Sequence, residues 1–94
     1  MSKKIKTKIL TEAEDIVNNR SEEKERMYGP FNEGMERAAM IASGMTGKDI
    51  TPTDMYKMLI ALKFSRESYN HKEDNLLDSV AYIAALDNHI LNEK

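Results

Sequence analysis

Lys63 and Arg66, Asp74 and Asp78, and Asn75 and Tyr82 are the residues of this chain whose types and spacing could do chemistry. The cations form K-x-x-R on one helical stretch, and the other four form D-N-x-x-D-x-x-x-Y on the next. At about 100° per residue, Lys63 and Arg66 fall on the face that also carries Met55, Met58, Leu59 and Leu62. A cation on an apolar face needs a partner, because an unpaired buried charge is very costly. Folding the chain back about Asn70-His71 sets Lys63 near Asp78 and Arg66 near Asp74 and Asn75. Two readings stand side by side. Lys63–Asp78 and Arg66–Asp74 are structural ion pairs inside a small bundle, or they line a pocket for an anionic, phosphorylated ligand.

A metal-assisted chemistry is the other candidate. Glu33 and Glu36 stand three apart, and Asp74 and Asp78 four apart, so each pair shares a helix face. Two such pairs on facing helices could hold Mg2+ against a nucleotide phosphate through hard oxygen ligands. Against this, Glu33 projects opposite the apolar face of its helix, and acidic residues are favoured in a first helical turn in any case. No cysteine is present, which removes disulfides, thiolate metal sites and a cysteine nucleophile. Gly29, Gly34, Gly44 and Gly47 match neither nucleotide-loop spacing. His71 and His89 have no serine and carboxylate placed for a relay.

These side chains have to be positioned by helices, since no strand pattern of any length occurs. Periodic apolar residues predict helices at about 5–19, 32–45, 52–69 and 73–91, with an irregular stretch at 20–31. The third has the clearest start: Thr51 as N-cap, Pro52 at the first helical position and Asp54 three residues past the cap. Its expected inner stripe is Met55, Met58, Leu59 and Leu62; that of the fourth is Leu76, Leu77, Val80, Ile83, Ala84 and Ile90, with Asn75, Asp78 and Tyr82 along its flank. In the irregular stretch Tyr28-Gly29-Pro30 reads as a turn, and Arg20 and Arg26 stand close by. There Tyr28 could stack on a base while an arginine contacts phosphate, or the tyrosine could simply tuck against the bundle. Asn32 is expected to cap the second helix, and Gly44 and Gly47 to mark its end.

The expected fold is all-α: one small four-helix bundle-like domain of 94 residues, its last two helices an antiparallel hairpin. So small a domain, with seven methionines and Met40 turned from the inner face, is expected to assemble as a homo-oligomer, a dimer or tetramer. Charged residues make up 32% of the chain and nearly balance, at net charge −2, which argues against binding along a nucleic-acid polymer. No apolar run is long enough for a membrane span, and the N-terminus lacks a secretory core, so a cytoplasmic protein is expected.

The order I-L-x-E-A-x-x-I-V (Ile9 to Val17), Arg26 before Tyr28-Gly29, Lys63-x-x-Arg66 and Asp74-Asn75-x-x-Asp78-x-x-x-Tyr82 resembles a family of small helical bacteriophage proteins. That family is distantly similar to the all-α, MazG-like nucleotide pyrophosphohydrolases, which bind magnesium through E-x-x-E and E-x-x-D. Glu33-x-x-Glu36 matches the first motif, while Asn75-x-x-Asp78 has an amide where the second wants a carboxylate. In size and expected architecture the chain is also similar to phage anti-CBASS sponge proteins, small oligomers that sequester cyclic nucleotide alarm signals. This resemblance implies a non-catalytic site for a cyclic dinucleotide such as cGAMP, needing no cofactor. Arg20, Arg26, Tyr28, Gly29, Lys63, Arg66, Asp74, Asn75, Asp78 and Tyr82 would be its contacts, with a two-fold ligand across a two-fold interface. The alternatives are a magnesium-dependent nucleoside triphosphate pyrophosphohydrolase using Glu33, Glu36, Asp74 and Asp78, or a protein-interaction module whose ion pairs are structural.

Overall fold

A computed structural model of the chain describes residues 7–19, 24, 26, 27 and 29–92. Among these the fold is all-α, without strands: α1 (Lys8–Asn18), α2 (Phe31–Thr46), α3 (Pro52–Tyr69) and α4 (Glu73–Asn92). Within the stretch expected to be irregular, Lys24, Arg26 and Met27 have helical backbone. The first helix begins at Lys8 rather than Ile5, because Thr7 is extended and takes the N-cap position.

The expected start of α3 forms in full. Thr51 Oγ1 accepts from the Asp54 N–H at 3.1 Å, and Asp54 Oδ2 accepts from the Thr51 N–H at 3.0 Å. The bond from the Thr51 backbone holds the Asp54 carboxyl below its usual range, with the Thr51 hydroxyl adding to it. At the start of α2 the N-cap is Pro30, not Asn32. Asn32 lies inside the helix, where its Oδ1 accepts the Tyr56 hydroxyl at 3.1 Å. The helix runs to Thr46 and closes on Gly47, whose positive φ of 72° suits a residue without Cβ. The Ser43 hydroxyl then donates to the Ile50 carbonyl and accepts from the Ile50 N–H, fastening the α2–α3 link.

Helix α4 is central: it packs along α3 as the expected hairpin and along α1 on another side, while α2 packs on α3. The fully buried apolar residues are Ala13, Ala39, Ala81 and Tyr56, three small and one large. Around Tyr56, Phe31 stands edge-on at 5.8 Å and His89 is tilted at 5.5 Å, and Phe31 stacks on Tyr82 at 6.0 Å.

Both hairpin helices are rotated from the orientation their aliphatic residues suggest. On α3 the residue at the core is Tyr56, while Met58 and Leu62 are exposed. On α4 the buried positions are Asn75, Ser79, Ala81 and His89, while Leu76, Ile83 and Ile90 face outward. The reason is compositional: apolar side chains surround most of α3, so its pattern fixes no direction, and bonded polar groups can be buried on α4. Ser79 Oγ donates to the Asn75 carbonyl at 2.7 Å.

The rotation has a direct energetic consequence. Tyr56→Ala, at a residue only 1% exposed, should cost about 3–5 kcal/mol of unfolding free energy. Met58→Ala, at an exposed position, should stay within about 0.5 kcal/mol of the parent. Urea denaturation midpoints would check both, and equal losses would show that the core lies on the aliphatic side.

Candidate ligand-binding site

The hairpin brings four of the expected site residues into one cleft. Lys63, Arg66, Asp74 and Asn75 line a cavity of about 560 Å³ near the α3–α4 turn, joined by Lys72 and Tyr69. Lys63 Nζ lies 2.8 Å from Asp78 Oδ2 and 4.0 Å from Asp74 Oδ2, and its side chain is 13% exposed. The hydrogen bond to Asp78 holds the Lys63 ammonium above the usual lysine range, against the cost of burial.

The expected Arg66–Asp74 pair does not form. Lys63 takes both carboxylates, and Arg66 stands exposed at the cleft rather than on the inner face. Among the described residues neither Arg66 nor Lys72 has an ion-pair partner for its side chain. Among the described residues the cleft thus carries three cations, Lys63, Arg66 and Lys72, beside the carboxylates of Asp74 and Asp78. Asn75 has a different position from the one expected: it is 4% exposed, and its amide Nδ2 donates to Glu67 Oε1 at 3.2 Å.

Glu67 is the residue that the sequence reading missed. Its carboxylate also accepts the Lys72 N–H at 3.2 Å and meets His71 Nδ1, so one side chain ties the end of α3 to the turn and to the start of α4. The bond from His71 is the main cause of a Glu67 carboxyl held below its usual range, with Lys72 and Asn75 adding to it. The spacing Glu67–His71, i to i+4, is the signal that could have found it.

Asp78 and Tyr82 belong to a second, adjoining space. They line a groove of about 350 Å³ together with Asp15, Asn19, Lys24 and Phe31, its floor made by small residues of α4. Asp78 thus stands between the two spaces, facing Lys63 on one side and the groove on the other. Arg26 and Gly29 line neither. Gly29 has a positive φ of 76°, as the expected turn requires. Arg20 and Tyr28 lie outside the described residues.

The four carboxylates of the magnesium reading are not gathered. Glu36 lines a third cavity beside Tyr56 and His89, whereas Asp74 and Asp78 converge on Lys63. Among the described residues no group of three or more Asp, Glu, His or Cys side chains is placed to hold a metal ion. No helix among them is long and apolar enough to cross a membrane.

A family model described as "Domain of unknown function (DUF6378)" matches residues 8–90, a span containing every residue of the cleft and the groove. The chain belongs to this family. It is similar to the Gene 55 protein of Mycobacterium phage L5, at 33% identity over 81 residues, covering 84% of this chain and 50% of the phage protein. The DUF6378 chain thus spans about half the length of that curated relative, and the likeness supports a phage protein family. No solved structure gives a significant match.

The acid behaviour of the hairpin follows from Glu67. A carboxyl held below its ordinary value stabilises the fold above about pH 4.3, and that contribution is lost as pH falls through the lowered value. Glu67→Gln should melt lower than the parent at neutral pH, and the two melting temperatures should converge in acid. Parallel melting curves across that range would mean that the His71–Glu67–Asn75 cluster carries no charge-dependent stability.

Proposed function

We propose that this DUF6378 protein binds a cyclic dinucleotide such as cGAMP and holds it intact. It would act in the infected bacterial cytoplasm as a phage anti-defence sponge of the anti-CBASS kind. The observation that supports this is the cationic cleft, where Arg66 and Lys72 have no ion-pair partner among the described residues. A phosphodiester would supply the missing anions: arginine offers a planar fork of donors to phosphate oxygens, and the lysine a point charge. Tyr69 stands fully enough in solvent, at 94% exposure, to stack on a base. Binding of this kind needs a preorganised site and no turnover, and the Glu67 cluster supplies the rigid turn.

Assembly as a homo-oligomer is part of the same proposal. Leu76, Ile83 and Ile90 repeat every seven residues along the outer side of α4, and Met40 and Met45 on α2 are largely in solvent. Apolar side chains at that spacing suit a helix of a second copy. Ile83→Glu should therefore shift the protein to a smaller species in light scattering coupled to size exclusion. An unchanged mass would exclude this face as the interface.

The functional test is a thermal-shift titration with cyclic dinucleotides and with nucleoside triphosphates, with magnesium and with chelator, followed by chromatography of the ligand. A cyclic dinucleotide should raise the melting temperature by several degrees irrespective of magnesium and be recovered whole. Arg66→Ala and Lys72→Ala alter exposed side chains, so each should keep the fold while weakening binding about tenfold or more, the loss of one charge-assisted hydrogen bond. Unchanged binding by both variants would overturn the site. Magnesium-dependent loss of a triphosphate would instead establish the pyrophosphohydrolase, and no shift with any nucleotide would favour a protein-interaction module.

A further inference from the structure

The phosphate contacts proposed above leave the groove between α1 and α4 unused. Its size, about 350 Å³, falls within the roughly 300–1,000 Å³ of small-molecule pockets. One wall is aromatic: Phe31 and Tyr82 both line the groove, their rings stacked 10° from parallel with centroids 6.0 Å apart. The floor is made by the small side chains of Ala81 and Ala85. The rim carries the carboxylates of Asp15 and Asp78, the Asn19 amide and one cation, Lys24. Asp15 uses Oδ1 to accept the Asn19 amide at 2.8 Å, and its Oδ2 makes no hydrogen bond among the described residues. Asp78 is bonded to Lys63 through Oδ2, and its Oδ1 makes no ion pair or hydrogen bond among the described residues.

We infer that this groove is a guanine subsite, an inference that rests on the nucleotide reading above and says where one base of such a ligand would sit. A flat, partly apolar slot suits any nucleobase, so the rim decides which one. A carboxylate is an acceptor only, and guanine offers two adjacent donors on its Watson–Crick edge, N1–H and the N2 amine, one for each of the oxygens that Asp15 and Asp78 keep without a partner among the described residues. Adenine offers only its N6 amine there. Uracil places its single N3–H between two carbonyl oxygens that would face the carboxylates unfavourably. The Lys63–Asp78 contact joins the groove to the cationic cleft. A single guanine nucleotide can therefore lay its base against Tyr82 and its phosphate toward Arg66 and Lys72.

Guanosine carries no phosphate and so reports on the groove alone. Titrated into the full chain and followed by NMR, it should move the Tyr82 ring and the Ala81 and Ala85 methyl signals and saturate. Inosine, which lacks the N2 amine, should bind about tenfold more weakly, and uridine more weakly still. Asp15→Asn, at an exposed position, should keep the fold and reduce guanosine affinity about tenfold. Ala85→Leu should block binding by filling the slot, and its spectrum reports whether it folds. Equal binding of guanosine and uridine, no binding of guanosine, or shifts confined to the hairpin cleft would each overturn the assignment. The two proposals can also fail separately. If guanosine fails while a cyclic dinucleotide still stabilises the protein through Arg66, only the base subsite falls.

Discussion

A single large side chain holds the arrangement together. Among the described residues Tyr56 is the one bulky side chain at the buried apolar positions; the others are alanines, which let helices approach but contribute little apolar area each. Its ring meets Phe31 of α2 and His89 of α4, and its hydroxyl is satisfied by Asn32 of α2. Three helices therefore converge on it. Burial pushes the phenol above its usual range, with the nearby Glu36 adding to that, so the hydroxyl stays a neutral donor to Asn32. The contact also places Phe31 against Tyr82, and that stacked pair is the aromatic wall of the α1–α4 groove. The groove is a consequence of how the core is filled.

The hairpin has a division of labour among its polar residues. Glu67 gathers His71, Lys72 and Asn75 and fixes the turn, so Asn75 serves the fold and is buried in doing so. Lys63 and Asp78 join the two helices further along, at a position where both are only partly covered. Arg66 and Lys72 are left at the cleft without ion-pair partners among the described residues. Groups that hold the turn and groups available to a ligand are thus next to one another but distinct.

The sequence made some of this legible and hid the rest for physical reasons. The start of α3 could be read because a capping box is local: Thr51, Pro52 and Asp54 determine one another within four residues. The Lys63–Asp78 pair could be read because a short turn fixes the register of two antiparallel helices. The rotation of those helices could not. With apolar residues on most sides of α3, aliphatic spacing selects no face, and the deciding residue was a tyrosine whose hydroxyl finds Asn32, 24 positions away. On α4 one residue of the expected polar flank, Asn75, is buried together with Ser79, because Glu67 accepts from the Asn75 amide and the helix backbone accepts from the Ser79 hydroxyl. Such satisfaction is non-local and leaves no periodic trace. Phe31 and Asp15 line the groove, and nothing in their spacing marks either of them for it.

The same geometry changes which cation matters most to an anionic ligand. Lys63 was the most conspicuous in the sequence, yet Asp78 at 2.8 Å already neutralises it. A phosphate approaching Lys63 has to displace that carboxylate or share the ammonium with it, so much of the attraction is offset by a bond lost or by like-charge repulsion. Arg66 and Lys72 carry no such offset within the described structure, and they are exposed enough to reach a ligand without breaking the hairpin. Differential binding should therefore come mainly from these two, with Lys63 setting the local potential and holding Asp78 at the mouth of the groove. Replacing Lys63 would free a half-buried carboxylate and disturb both spaces together, whereas replacing Arg66 or Lys72 removes an attraction and little else. A cation that is conspicuous because it is paired is a structural element first, and an anionic ligand would be attracted by the charges that the described structure leaves without an ion-pair partner.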